Sequence, residues 1–269
     1  MNPQDVNLSN CDREPIHQLG RIQGFGALIA VNSDWFVAHR STNLEALFGA
    51  GRTVEIGDRL SRLLSPAALQ QLRSSATALT MPDQVERLFG LALFDSDALF
   101  DCALHSSGGN TVIEIEPHAA GDLNRQLSIL RPIMTRLEKH TEVQPLVDEA
   151  ARQLRLALQI DRVMVYRFRE DLSGEVIAEA ARDDLEKFHG LRYPRSDIPD
   201  QARALYVRNR FRIIADVEAE PVPVEPGVSL DGEPLDLSMS TLRAVSPIHI
   251  EYLKNMGVGA SLSISIIIG

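Results

Sequence analysis

The apolar pattern through the middle of the chain constrains the fold most. Leu127, Leu130, Ile133, Met134 and Leu137 recur at three- and four-residue steps. Leu146, Val147, Ala150, Leu154 and Leu158 repeat the pattern after a polar break, HTEVQP (140–145). That period belongs to helices with one buried face. Strand-like runs lie on both sides of the pair. The chain is therefore expected to be α+β with two domains, the first helix acting as a connector. Its 269 residues suffice for two cores of ordinary size.

Before the helices, residues 1–20 read as an irregular polar arm with Pro3 and Pro15. GALIAV (26–31) and WFVAHR (35–40) read as strands around the turn NSD, and NLEALFGA (43–50) as a short helix stopped by glycine. Strand-like runs follow in FGLALF, ALFDCALH and TVIEIEP. After the helices come the strands RVMVYRF (162–168) and EVIAEA (175–180), a short helix in RDDLEKF (182–188) and an extended loop in LRYPRSDIP. A helix in DQARALYVRN and a strand in FRIIADV come next. Residues 218–238 carry four prolines and two glycines, and read as a long irregular loop of the kind that is functional or disordered. A helix from about Pro247 to Asn255, closed by Gly257, precedes the strand ASLSISIII, whose alternate serines share one face.

Charge and composition exclude several classes. Asp and Glu total 37 against 27 Lys and Arg, a net charge of −10. An acidic chain disfavours broad phosphate binding, so neither nucleic acid nor an anionic membrane is expected as a partner. No apolar run approaches the roughly 18–20 residues that span a bilayer, and the polar N-terminus lacks a signal peptide's core. A cytoplasmic location is expected. Two cysteines make no disulfide framework, and the seven histidines show no metal-ligand spacing. Cys102, in an alternating strand, is expected to be a buried inert thiol. Cys11 sits on the polar arm.

Four segments together resemble the bacterial phytochromes: NCDREPIH (10–17); DRVMVYRF with SGEVIAEA (161–180); YPRSDIPDQARALY (193–206) with RIIADV (212–217); and LRAVSPIHIEYLKNMGV (242–258) with SLSIS (261–265). The resemblance covers nearly the whole chain. It implies an arm over 1–20, a PAS domain over 21–120, a connecting helix over 121–140 and a GAF domain over 141–269. Each domain would be an antiparallel sheet with flanking helices, and the arm would be knotted through the 218–238 loop. The sequence departs from the family at Arg195, usually alanine, and at Phe25, usually histidine. It also stops at Gly269, where the resemblance implies a further strand with another pocket histidine, a PHY domain and a histidine kinase output. The expectation is therefore a non-enzymatic sensory fragment, truncated before the end of the GAF domain. Such a fragment would photoconvert incompletely and emit near-infrared fluorescence.

The ligand the resemblance implies is biliverdin, a linear tetrapyrrole with two propionates, held covalently. Cys11 matches the position of thioether attachment; a thiol is partly ionised near neutral pH and strongly nucleophilic. Arg212, Arg243 and Tyr206 match propionate partners, as arginine grips carboxylates in bidentate fashion. Ser261 and Ser263 match further propionate donors. The Asp197 backbone carbonyl, with His249 alongside, matches the acceptor of the pyrrole N–H groups. Tyr166, Tyr193 and Tyr252 match the surroundings of the isomerising ring D. Met164 and Met256 would pack there, with Ser246 and Ile198 lining the neighbouring surface. Read from the residues alone, SDIP is a helix start with Ser196 or Asp197 as cap and Pro199 in the first turn.

The implied function is a red/far-red photoreceptor module that signals by bilin isomerisation, working as a homodimer through an output kinase or effector. The alternative is a PAS–GAF sensor of another small ligand such as a cyclic nucleotide, which has no use for a thiol on the arm. An enzyme built on Cys11 and His17 lacks an acid partner and an enclosed site. A plain dimerisation module through the connector is compatible with sensing.

Overall fold

The computed structural model describes residues 14–119, 121, 123–229 and 232–268, with the backbone alone described for 123–127. In chain order the elements are β1 (Arg21–Ile22), β2 (Ala27–Val31), β3 (Val37–Ser41), α1 (Leu44–Phe48), α2 (Pro66–Thr77), β4 (Val85–Leu91), β5 (Phe100–Ser107), β6 (Asn110–Pro117), α3 (Leu123–Leu137) and α4 (Val143–Leu158). They continue as β7 (Arg162–Phe168), β8 (Gly174–Ala181), β9 (Arg192–Tyr193), α5 (Asp200–Arg208), β10 (Phe211–Ile214), β11 (Val222–Glu225), α6 (Pro247–Asn255) and β12 (Ser261–Ile264). The chain forms two compact units: one runs to His118 and resumes at Asp200, and the other is Ala119–Pro199. The α+β class stands, with helices flanking antiparallel sheets.

The first unit is organised by a seven-stranded sheet in the order β1-β11-β3-β2-β6-β5-β4, all of whose pairs are antiparallel. Every residue of β2 is buried. A strand covered on both faces reads as a continuous apolar run, and ALIAV does so for this reason. Ile29, Ile113 and Ile115 face one core with Leu44, Phe48 and Leu72 of the two helices. Leu28, Ala30 and Val112 face a second core with Leu235, Leu237 and Leu242. Phe48, Phe94 and Phe100 meet edge to face in the first core, at 5.2 to 5.7 Å between centroids. Cys102 is buried there, and desolvation pushes its thiol pKa up to about 12, an inert state.

The proline-rich tract is where the structure departs most from the sequence reading. Part of it is a strand, β11, seated between β1 and β3 with Arg21 opposite Pro223 and Val224 opposite Ser41. The Val224 N–H donates to Gly20 O, and Pro223 O accepts from the Thr42 N–H. Proline removes one donor, yet its carbonyl and its neighbours still pair. The threading of the arm through this tract involves residues 1–13, which lie outside the described residues.

The same unit carries a two-stranded sheet of β10 and β12. Ile214, Val217 and Leu253 form its small core with α6. The expected stop of α6 is a full Schellman closure. Gly257 takes φ +68°, its N–H donates to Lys254 O, and the Val258 N–H donates to Leu253 O. Helix α5 begins at Asp200, so Pro199 stands ahead of its first turn, and Asp197 ends a separate 3-10 turn over Arg195–Asp197. Arg208 pins α5 by an ion pair with Asp83 at 2.7 Å.

In the second unit α4 packs on the sheet β7-β8-β9. The helix expected in RDDLEKF is absent; those residues form turns. Glu179 explains the difference. Its carboxylate pairs with Arg162 and accepts the backbone N–H groups of Phe188 and His189 at 2.8 and 2.9 Å. Arg182 bonds Asp161 and Asp184. These charge-assisted bonds replace the helical ladder.

His105 on β5 is 1% exposed, and neither ring nitrogen has a partner. Burial, ahead of Asp236's opposing charge, lowers its pKa from 6.5 to about 4. The unfolded chain therefore takes up a proton that the folded chain refuses as pH falls from 6.5 to about 4, and roughly 3 kcal/mol of stability is lost over that window. His105→Leu is expected to remove most of that acid-induced loss, read as the difference between urea midpoints at neutral pH and near the lower limit.

Candidate functional site

Arginine 212 stands on β10 opposite Ser263 of β12. Its guanidinium carbon lies 3.6 Å from the Tyr206 ring centroid, a cation–π contact. Nη1 donates to Asn209 O at 2.9 Å and to Ser265 Oγ at 3.2 Å. Ser265, rather than Ser261 or Ser263, is the serine this arginine bonds; it continues the same S-x-S-x-S alternation. Ser261 pairs with Ile214 and is half-buried, while Ser263 is exposed.

Arg243 lies just ahead of α6. Its Nη1 donates to Ile16 O at 2.7 Å, and its buried Nε has no partner. Burial pushes the pKa of both arginines down, and for Arg243 the charge of Arg212 acts in the same direction. Arginine stays protonated in such settings. Among the described residues, the hydrogen-bond partners of both guanidiniums are neutral oxygens.

Gln23 stitches the two arginine-bearing segments together. Its Nε2 donates to Ile213 O at 2.8 Å and Arg243 O at 3.2 Å, and its Oε1 accepts the Ala215 N–H at 3.0 Å. A cavity of about 270 Å³ lies beside this seam, walled by Phe25, Ile214, Pro221, Ala244 and Ile250 among others. None of the expected site residues lines it. Phe25 contributes a phenyl ring to its wall.

Ser246, at the N-terminus of α6, donates to Glu14 Oε2 at 2.5 Å. Glu14 is buried, with Oε1 unpartnered. Three residues along the helix, His249 stacks with Tyr252 at 6.1 Å between ring centroids. Desolvation first and Arg243's charge second lower the His249 pKa, so the ring is neutral at pH 7 and offers one donor and one acceptor. Met256 caps the same helix. Glu14, Gln23 and Ser265 were not singled out from the sequence.

The remaining expected residues belong to the second unit. A register shift between Val165 and Tyr166 re-aims Tyr166 relative to exposed Met164. Tyr166 lies 6.0 Å from Tyr193 and 5.3 Å from Phe168, ring to ring. Burial raises the Tyr193 pKa, with nearby carboxylates including Asp197 adding to it, so its hydroxyl stays a donor. The Asp197 N–H donates to Pro194 O, and Ile198 follows in extended conformation. Cys11 lies outside the described residues. Among the described residues there is no His/Cys/Asp/Glu group suited to a metal, and no helix is long and apolar enough to cross a membrane.

Residues 11–118 match the model of a PAS fold, and residues 142–269 match that of a GAF domain. The chain is thus a PAS–GAF pair. It is 42% identical over 269 residues to a bacteriophytochrome of Pseudomonas aeruginosa, covering 98% of this chain and 36% of the relative. A bacteriophytochrome of Xanthomonas campestris pv. campestris is 37% identical, with coverage of 99% and 42%. Cyanobacterial phytochrome B of Nostoc sp. is 37% identical, with coverage of 98% and 36%. The chain belongs to the phytochrome family and spans 36 to 42% of the length of these relatives.

Gly174 makes the Tyr166 position available. A Cβ there would fall 1.7 Å from the Tyr166 hydroxyl. The ring lies across the glycine of the neighbouring strand. Gly174→Val is expected to evict it at a cost of about 1–3 kcal/mol. The added cost should largely vanish in the Tyr166→Ala background, a cycle read by urea unfolding.

Proposed function

We propose that this chain is the bilin-binding, light-sensing module of a phytochrome, with biliverdin attached through Cys11. The observation that carries the reading is the pair Arg212 and Arg243, two partly desolvated cations whose hydrogen-bond partners among the described residues are neutral oxygens. A desolvated guanidinium calls for an anion, and biliverdin brings two carboxylates. Among the described residues the buried Arg243 Nε has no partner, which leaves it free to donate to such a group.

Arg212 and Arg243 hold the propionates, with Tyr206, Ser261 and Ser263 as further donors. The Asp197 carbonyl would accept pyrrole N–H groups, and neutral His249 would offer a further hydrogen bond. Tyr166, Tyr193 and Tyr252, with Met164, Met256, Ile198 and Ser246, would serve ring D. Cys11 would hold the bilin as a thioether, by addition of its S–H across the ring-A vinyl group, which needs no oxidant. When bound, the bilin supplies red-light absorption and isomerisation between rings C and D. Signalling runs to a histidine kinase or other output in a full-length protein. The exposed Ile129, Leu130 and Met134 of α3 are where a second copy would pack.

The test is co-expression with a haem oxygenase, followed by denaturing electrophoresis and zinc-induced fluorescence. A fluorescent protein band is expected. Cys11→Ser should abolish the band while leaving reversible colour in the native protein. Arg243→Ala should weaken biliverdin binding by about 10–100-fold, the worth of a hydrogen-bonded charge. A colourless wild-type chain, or one that takes cyclic GMP instead, would overturn the reading.

A further inference from the structure

Glu114 is 1% exposed on β6 and faces the second core, alongside Leu28, Ala30 and Val112. An apolar residue would fit that layer at lower cost, since burying a carboxylate is expensive. The carboxylate instead accepts three donors from the stretch that leads into Arg243. Leu242 N–H and Ser240 Oγ bond its Oε1, the former at 2.7 Å, and the Thr241 N–H bonds Oε2 at 3.0 Å. Burial pushes its pKa up, and these same donors pull it back. Residues 239–242 belong to no helix or strand, so no ladder satisfies these amides.

The other side of the stretch is held by β1 and the residue after it. The Gln23 N–H donates to Leu242 O at 2.7 Å, the Ala244 N–H donates to Arg21 O at 3.0 Å, and Gln23 Nε2 donates to Arg243 O. Arg243 thus projects from a backbone clamped by Glu114 on one side and by Arg21 and Gln23 on the other.

We infer that Glu114 is a positioning residue for Arg243: its buried carboxylate fixes the 240–242 backbone and so sets the guanidinium for the ligand's carboxylate. The ligand half of this inference rests on the bilin reading above; the backbone half does not.

Glu114→Gln keeps the shape and removes one acceptor. Hydrogen exchange at the Thr241 and Leu242 amides is expected to speed up about tenfold or more, while core amides of β2 and β5 stay protected. Biliverdin affinity is expected to fall about tenfold with Arg243 present, and to change little in the Arg243→Ala background. An equal loss in both backgrounds would make Glu114 a structural residue and overturn the inference, as would unchanged exchange at Thr241 and Leu242. If the wild-type chain takes up no biliverdin, the bilin reading falls, and the exchange data still decide the positioning role. Should Glu114→Gln fail to fold, Ser240→Ala removes one of the three donors and is read by the same cycle.

Discussion

The first unit depends on one pairing event: β11 joins the sheet between β1 and β3. That ladder brings the chain after residue 200 onto the sheet formed before residue 118. It lets Leu235, Leu237 and Leu242 close the second core, and it places Arg243 within hydrogen-bond reach of Ile16 and Gln23. Contacts so distant in sequence cost loop-closure entropy. They are sustained because they cover the outer sheet face and satisfy its edge amides together.

Much of this was legible in the sequence. The period of three and four gave α3 and α4, the run ALIAV gave β2, and Gly257 marked the end of α6. Two misreadings have one cause, a partner outside the segment itself. RDDLEKF has helical composition, but Glu179, three residues ahead of it, holds the amides of Phe188 and His189 instead. The proline-rich tract shows no strand period of its own, and β11 exists because β1 and β3 leave a slot for it.

The site was legible unevenly for the same reason. Arg212, Tyr206 and Arg243 were singled out by resemblance, and the contact between Arg212 and Tyr206 follows from a helix that delivers directly into β10. Glu114 was not, because TVIEIEP alternates as a half-exposed strand would. Only the covering segment, more than a hundred residues later, turns its outer face into an interior. Gln23 and Glu14 escaped notice because a polar arm gives no local signal of burial.

The buried polar groups divide by whether their donors and acceptors are met. Glu114 and Glu179 are fully engaged and hold backbone in place. Among the described residues, the groups not engaged include Arg243 Nε, Arg40 Nε, both ring nitrogens of His105 and one oxygen of Glu14. Unmet buried groups are expensive and rare in a stable fold. Two of these, Arg243 Nε and Glu14 Oε1, lie along the seam where the arm meets the segment entering α6, Glu14 being bonded to Ser246. Glu114 holds the backbone from which Arg243 projects, and Arg243 keeps an unpartnered Nε among the described residues. Under the proposed reading, a propionate would supply the counter-ion that the described residues do not provide.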